Sequence, residues 1–278
     1  MNPAPGVLRR RAFLAAVVAA AVSPSARGEA ATEPVLRVAL VPYLPARALL
    51  ETWEPLRLHL AARLGQPVEM YSAASFRALV ESVRRRAQDL TLVPVHVGQL
   101  LVKEGSGVWL AMSTRRDDVQ ILTTLPEGAD WRDRRIGIGD PLSILTLAAR
   151  RWIVAQGLAD KVRLIEAPTA GALAVMLERG DVDAIVVSSV QRLDLKPLQT
   201  LPALRALTLR TIHIPAWLGL ADAPAVRRQT LQAALLSYRA PENRGTAATS
   251  VWHLPDAALL ARYDDLAAEA EAVLAGRR

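Results

Sequence analysis

The sequence predicts an α/β chain folded as two lobes, each on a mostly parallel sheet, joined by a two-segment hinge. Three observations predict it. Short apolar strand segments alternate with helix-length amphipathic segments, this alternation is interrupted by charged residues at Thr114–Asp118 and then runs again, and the segments after Pro202 are too few to build a sheet of their own. With 278 residues and 51% hydrophobic content, the chain can bury two moderate cores.

The first run opens with Val35–Pro42 (VLRVALVP), a buried type of strand. Leu49, Trp53, Leu56, Leu60 and Leu64 then recur at three- and four-residue steps, which predicts a helix stopped by Gly65. Val68–Tyr71 reads as a second strand, Phe76, Leu79, Val80 and Val83 as the stripe of a second helix, and Asp89–Val93 as a third strand. Short links between such elements imply right-handed crossovers and parallel pairing. The second run gives strands at Ile136–Gly139, Val162–Ile165 and Ala184–Val187, with helices at Ser143–Gln156 and Ala170–Arg179. Leu204–Ile214 is strand-like again, followed by the apolar WLGLA and helices over Ala225–Ser237 and Pro255–Leu274. These last elements are expected to dock back on the first lobe. Lobe one is thus expected over 32–114 and 208–278 and lobe two over 115–207, with crossings near Thr114–Val119 and Leu204–Thr211. Strand ends of both lobes would then face one crevice, where open α/β sheets take ligands, and two crossings can serve as a hinge. The architecture suggests a clamshell that closes on a small molecule.

Residues 1–31 read as an export signal: the basic cluster Arg9-Arg10-Arg11, the apolar run Ala12–Val22, and small residues ending near GEAA. The apolar run is too short to span a bilayer as a helix of about 20 residues. Arg10-Arg11-Ala12-Phe13-Leu14 also fits the twin-arginine pattern, and an ordinary signal with an extra arginine is the other reading. The expected location is the periplasm, after cleavage between Ala26 and Ala31. Arg9, Arg10, Arg11 and Arg27 against Glu29 give this segment a net +3, leaving +4 of the formal +7 for the rest. That balance does not point to nucleic acid, and Arg84-Arg85-Arg86 lies at a helix end without interleaved aromatics.

No local signature points to catalysis. A Walker-type loop, a Gly-x-Ser-x-Gly elbow and a His-Glu-x-x-His pair are all missing, Gly137-Ile138-Gly139 is followed by Leu142 where a dinucleotide fingerprint needs glycine, and His59, His96, His213 and His253 are scattered. There is no cysteine, which removes thiolate metal sites, cysteine nucleophiles and disulfides. The expectation is a protein that is not an enzyme and holds no cofactor and no metal.

Within GIGDPLSILTLAARRW (137–152), a strand end, a Gly-Asp-Pro turn and a helix start coincide, an arrangement whose backbone N–H groups can hold an anion. Ser143 fits there both as the helix N-cap and as a ligand contact, readings that do not exclude each other. Arg47 and Arg115 read as solvated arginines, with donation of positive charge to an anion as the other reading. Trp217 and Trp252 read as packing.

Over nearly all the chain after residue 31, the order of LRVALVPYLPARALLETWEPLRLHLAARLGQPVEMYSAASFRALVESVR, DLTLVPVH, GDPLS and AVMLERGDVDAIVVS resembles the phosphate/phosphite/phosphonate-binding proteins of ABC importers, the PhnD-like proteins of type II periplasmic-binding-protein fold. The resemblance implies a substrate-binding protein that captures a small oxyanion or organic acid and acts as a monomer. It implies an inner-membrane ABC permease as partner; the alternatives are a periplasmic sensor feeding a histidine kinase and an enzyme on the same fold. By position it also implies Tyr43, Phe76, Pro94, His96, Asp140 and Ser143 as cleft residues. Two departures stand out. Ile144 and Leu145 replace the hydroxyls of the family's Asp-Pro-x-Ser-Thr-Ser turn, and Pro168 or Thr169 stands where a phosphonate-binding histidine is expected. Losing those polar partners implies weaker binding of a tetrahedral oxyanion or a less polar ligand.

Overall fold

Strand β1 (Leu36–Leu40) is buried on both faces apart from Arg37, the signature of a strand in the middle of a covered sheet. In this computed structural model, which describes residues 34–213, 215–240 and 251–277, it pairs in parallel with β2 (Val68–Ser72) and β3 (Leu90–Val93). The export segment expected at 1–31 lies outside the described residues. Everything described belongs to the unit Pro34–Arg278.

Helix α1 (Ala46–Leu64) buries Leu49, Trp53, Leu56 and Leu60, the stripe read from the sequence. Gly65 ends it with a left-handed φ of 64° and donates its N–H to Ala61 O, a turn that a side chain would strain. Helix α2 (Phe76–Arg84) is capped by Ser75, whose Oγ accepts from Ala78 N (3.0 Å). Its basic end is neutralised: Arg84 pairs with Glu104, Arg85 with Glu81 and Arg86 with Asp222.

Helix α3 (Val95–Lys103) follows β3 where the sequence reading placed only a strand end. Its residues are buried almost all round, so no polar stripe reveals it, and Gly98 weakens its helical signal. The glycine is required by packing, since a Cβ there would lie 2.2 Å from the Trp109 ring. Trp109 belongs to β4 (Gly107–Ser113).

The chain then enters a second sheet at β5 (Arg116–Thr123), continues through β6 (Arg135–Ile138), α4 (Ile144–Ala155), β7 (Arg163–Glu166), α5 (Ala170–Glu178), β8 (Ala184–Ser188) and α6 (Ser189–Leu193), and leaves along β9 (Arg205–His213). It returns to the first sheet as β10 (Ala216–Leu220), followed by α7 (Ala225–Ser237), β11 (Trp252–His253), α8 (Ala257–Ala261) and α9 (Asp264–Leu274). The expected docking of the late elements on the first sheet is what the strand orders show: β11-β4-β10-β3-β1-β2 for the first and β7-β6-β8-β5-β9 for the second.

Both sheets are mixed rather than mostly parallel. β6 pairs in parallel with β7 and β8, but β5 runs against β8 and β9, and β10 runs against both β3 and β4. The cause is topological: the returning strand is inserted between two strands already laid down. β5 and β9 pair from Arg116↔His213 to Thr123↔Arg205, so the segments expected as crossings lie mostly inside the second sheet, β9 keeping 208–213 there. Among the described residues, the chain passes between the sheets at 114–115 and in the short link from His213 to Ala216.

Trp53, Trp217 and Trp252 form an aromatic cluster with ring centroids 5.7 to 6.1 Å apart. The helix expected over Pro255–Leu274 is broken at Arg262–Tyr263, where the Tyr263 hydroxyl accepts from His213 N (2.7 Å). No helix among the described residues is long and apolar enough to cross a membrane.

Candidate ligand-binding cleft

A cavity of about 250 Å³ opens where the carboxyl ends of β1, β3, β6 and β8 converge from the two sheets. That is the position an open α/β sheet reserves for ligands. The first sheet supplies Tyr43 and Leu44 after β1, Trp53 of α1, Phe76 at the start of α2, and Pro94 after β3. Asp140, Ser143, Ile144 and Leu145 come from the turn before α4 and its first residues, Pro168 and Thr169 from the turn before α5, and Ser188 and Gln191 from the β8–α6 junction. Arg115 and Asp117 stand where one crossing meets β5.

Five of the six residues expected in the cleft therefore line one cavity: Tyr43, Phe76, Pro94, Asp140 and Ser143. His96 does not. Its ring is fully buried within α3, and Nε2 lies 2.8 Å from Leu142 O, so it carries the hydrogen and donates it. Burial pushes its pKa down to about 4, Nδ1 has no partner, and the imidazole is neutral at neutral pH. Its visible role is to tie α3 to the Gly139–Ser143 turn from behind.

Tyr43 offers a donor. Trp53 Nε1 donates to its hydroxyl oxygen (2.9 Å), leaving the phenolic hydrogen for another acceptor. Burial raises its pKa to about 12, the Trp53 bond and the Arg115 charge opposing that rise, so the hydrogen stays on. Arg115 is the only cationic side chain on the cavity wall among the described residues, and within them it has no ion pair. The sequence reading treated it as solvated. Its neighbour in the wall, Asp117, was missed altogether, although RRDD at a lobe boundary is an unusual charge cluster.

Part of the turn before α4 is taken by the protein's own groups. Ser143 Oγ caps the helix by accepting from Leu145 N (3.3 Å). Asp140 Oδ1 accepts from Leu142 N (2.8 Å) and Oδ2 from Phe76 N (3.4 Å), the latter reaching across the cleft. Thr169 and Ser188 likewise cap α5 and α6. Ile144 and Leu145 put hydrocarbon on the wall beside Ser143.

Residues 38–258 match the family model described as ABC transporter, phosphonate, periplasmic substrate-binding protein. The chain belongs to this family. As a phosphonate-type substrate-binding protein of an ABC importer, it is a binder rather than a catalyst, with an extracytoplasmic place of work. Solved structures agree on the fold. A Xanthomonas citri protein bound to ATP superposes with a TM-score of 0.72 at 14% identity, covering 87% of this chain and 98% of its own. A binding-protein component of an ABC phosphonate transporter from Pseudomonas aeruginosa gives 0.69 at 14%, covering 88% and 89%. PhnD1 from Prochlorococcus marinus, in complex with methylphosphonate, gives 0.67 at 12%, covering 88% and 99%. No curated protein sequence matches the chain. Among the described residues no cluster of three or more His, Cys, Asp or Glu side chains is arranged to hold a metal.

Proposed function

We propose that this phosphonate-type substrate-binding protein, exported to the periplasm with loss of residues 1–31, captures a small anion, an oxyanion or an organic acid, in the cleft and presents the closed form to an ABC permease. The observation that carries the ligand reading is Arg115, a cation on the wall of a partly apolar cavity with no carboxylate paired to it among the described residues. An acceptor group placed there gains a charge-assisted hydrogen bond in a poorly hydrated site, where such a bond is strongest. The Tyr43 hydroxyl is the natural second donor. Both sheets contribute to the wall, so a ligand touching both favours closure.

Thermal melting tests the reading. Phosphate, phosphite, methylphosphonate, sulfate and small carboxylates are each added at increasing concentration. A ligand at 100 times its Kd stabilises by about 2.7 kcal/mol, which for a chain of this size is a rise of roughly 5–10 °C. Arg115→Gln is expected to abolish that rise. A panel in which none of these anions changes the melting temperature refutes the anion reading.

A further inference from the structure

Arg115 and the Tyr43 hydroxyl make up a small part of the cavity wall, and the arginine's charge reaches the phenol. Much of the rest is hydrocarbon. Phe76 comes from the first sheet's side, and Ile144, Leu145, Leu173 and Val186 from the second's. Phe76, Ile144, Leu173 and Val186 are each no more than 7% exposed, so core packing sets their positions and the apolar wall is built before any ligand arrives. A glycine helps to seat one of them: a Cβ at Gly137 would lie 2.8 Å from Leu173 Cδ2, and its absence lets Leu173 settle against β6.

An anionic head finds donors here. Ile144 N, Ala170 N and Gly171 N, in the first turns of α4 and α5, have no acceptor among the described residues, so these helix starts keep N–H groups for an oxyanion beside Arg115 and Tyr43. A bare oxyanion does not fill the space, however. Five heavy atoms, each given the roughly 30 Å³ of a liquid water molecule, account for about 150 Å³ of the 250 Å³ present. What remains is room for about three or four more such groups, bounded largely by side chains that offer water no hydrogen bond. Hydrocarbon displaces water from such a place favourably.

We infer that the ligand is an oxyanion carrying a hydrocarbon substituent of about three or four carbons, a phosphonate or carboxylate head on Arg115 and the Tyr43 hydroxyl with its chain against the apolar wall, and that Ile144 and Leu145 select for the chain. This rests on the cleft being an anion site and names the part of the ligand that the anion reading leaves open. The chain also favours closure, since Phe76 belongs to one sheet's side and Ile144 and Leu145 to the other's. Bare phosphate and sulfate gain nothing from that wall.

Titration calorimetry of two homologous series tests this: methyl-, ethyl-, propyl- and butylphosphonate, and acetate through pentanoate, with phosphate, phosphite, sulfate and 1-butanol alongside. In the series whose head group binds, affinity is expected to rise about three- to fourfold per methylene, and at least about tenfold from the methyl to the butyl member. Ile144→Thr and Leu145→Ser each put a hydroxyl on the apolar wall. Each is expected to cut the butyl-to-methyl ratio by about threefold or more, with a cooperative melting curve showing that the variant is folded. Leu145 is only half-buried, so Leu145→Ser decides the matter if Ile144→Thr does not fold. A wild-type ratio under about tenfold, a ratio that falls by less than about threefold in every folded variant, or tightest binding by phosphate, phosphite or sulfate overturns the inference and leaves the anion reading standing. Binding of 1-butanol as tight as that of the butyl acids, or no binding by any anion, removes both.

Discussion

Tyr43 is engaged on its oxygen and free on its hydrogen, and this divides its mutational effects. Tyr43→Phe removes the acceptor of Trp53 Nε1, whose side chain is 1% exposed, so a loss of about 1–3 kcal/mol is expected in urea denaturation, apart from any effect on ligand. Ser143→Ala removes a helix cap, an expected loss of about 1 kcal/mol. Affinity unchanged in that variant identifies the serine as a cap alone; weakened affinity adds ligand contact. His96 gives a pH signature. Its pKa is near 6.5 when solvated and about 4 in the fold, where burial dominates, the Leu142 carbonyl opposes, and Arg210 is the charge that acts on it. Between those values the unfolded chain takes up a proton that the folded chain refuses. Its contribution is therefore complete above about pH 6.5 and is lost as pH falls toward 4, on the order of 3 kcal/mol in all. His96→Gln is expected to flatten that part of the stability profile; a slope identical to wild type contradicts the buried neutral state.

At the scale of elements, α3 shows what local sequence conceals. Its helical period is masked because Val95, His96, Val97, Leu100 and Leu101 are all buried, and it carries a glycine where Trp109 lies over the backbone. Gly98→Ala forces the ring aside and is expected to cost about 1–3 kcal/mol, measured as a fall in melting temperature. A neutral result means the tryptophan has room to turn. By contrast, α1, α2, α4 and α5 were legible, since each has one apolar stripe and a Gly, Ser or Thr at an end. The insertion of β10 between β3 and β4 was not, because strand order depends on contacts far apart in sequence. The site divides in the same way. Tyr43, Asp140 and Ser143 sit in local motifs of turn and cap, whereas Arg115 and Asp117 owe their place on the wall to where the crossing meets β5, and a charged run alone reads as solvated surface.

Across the whole molecule, the two sheets are held together by more than the crossings. Arg151 of α4 pairs with Asp265 and Glu269 of α9, and Arg210 of β9 donates to Arg262 O. These groups are partly exposed, so their contribution is about 1 kcal/mol or less and is screened by salt. Arg151→Gln is expected to weaken ligand binding no more than about fivefold at low ionic strength, with the difference from wild type vanishing in high salt. A salt-independent effect assigns Arg151 to packing instead.

The pairing of β5 with β9 sets the order in which a visitor is received. Because these strands lie side by side, both covalent links leave the second sheet at one edge, like the two cords of a book's spine. Any opening that keeps the sheets whole turns about that line. Arg115 and Asp117 sit beside it, where a rotation moves atoms least, while Phe76 and Ile144 ride on the covers. The charged side chains thus keep their places while the hydrocarbon walls swing, so the two kinds of wall differ in how far an opening carries them.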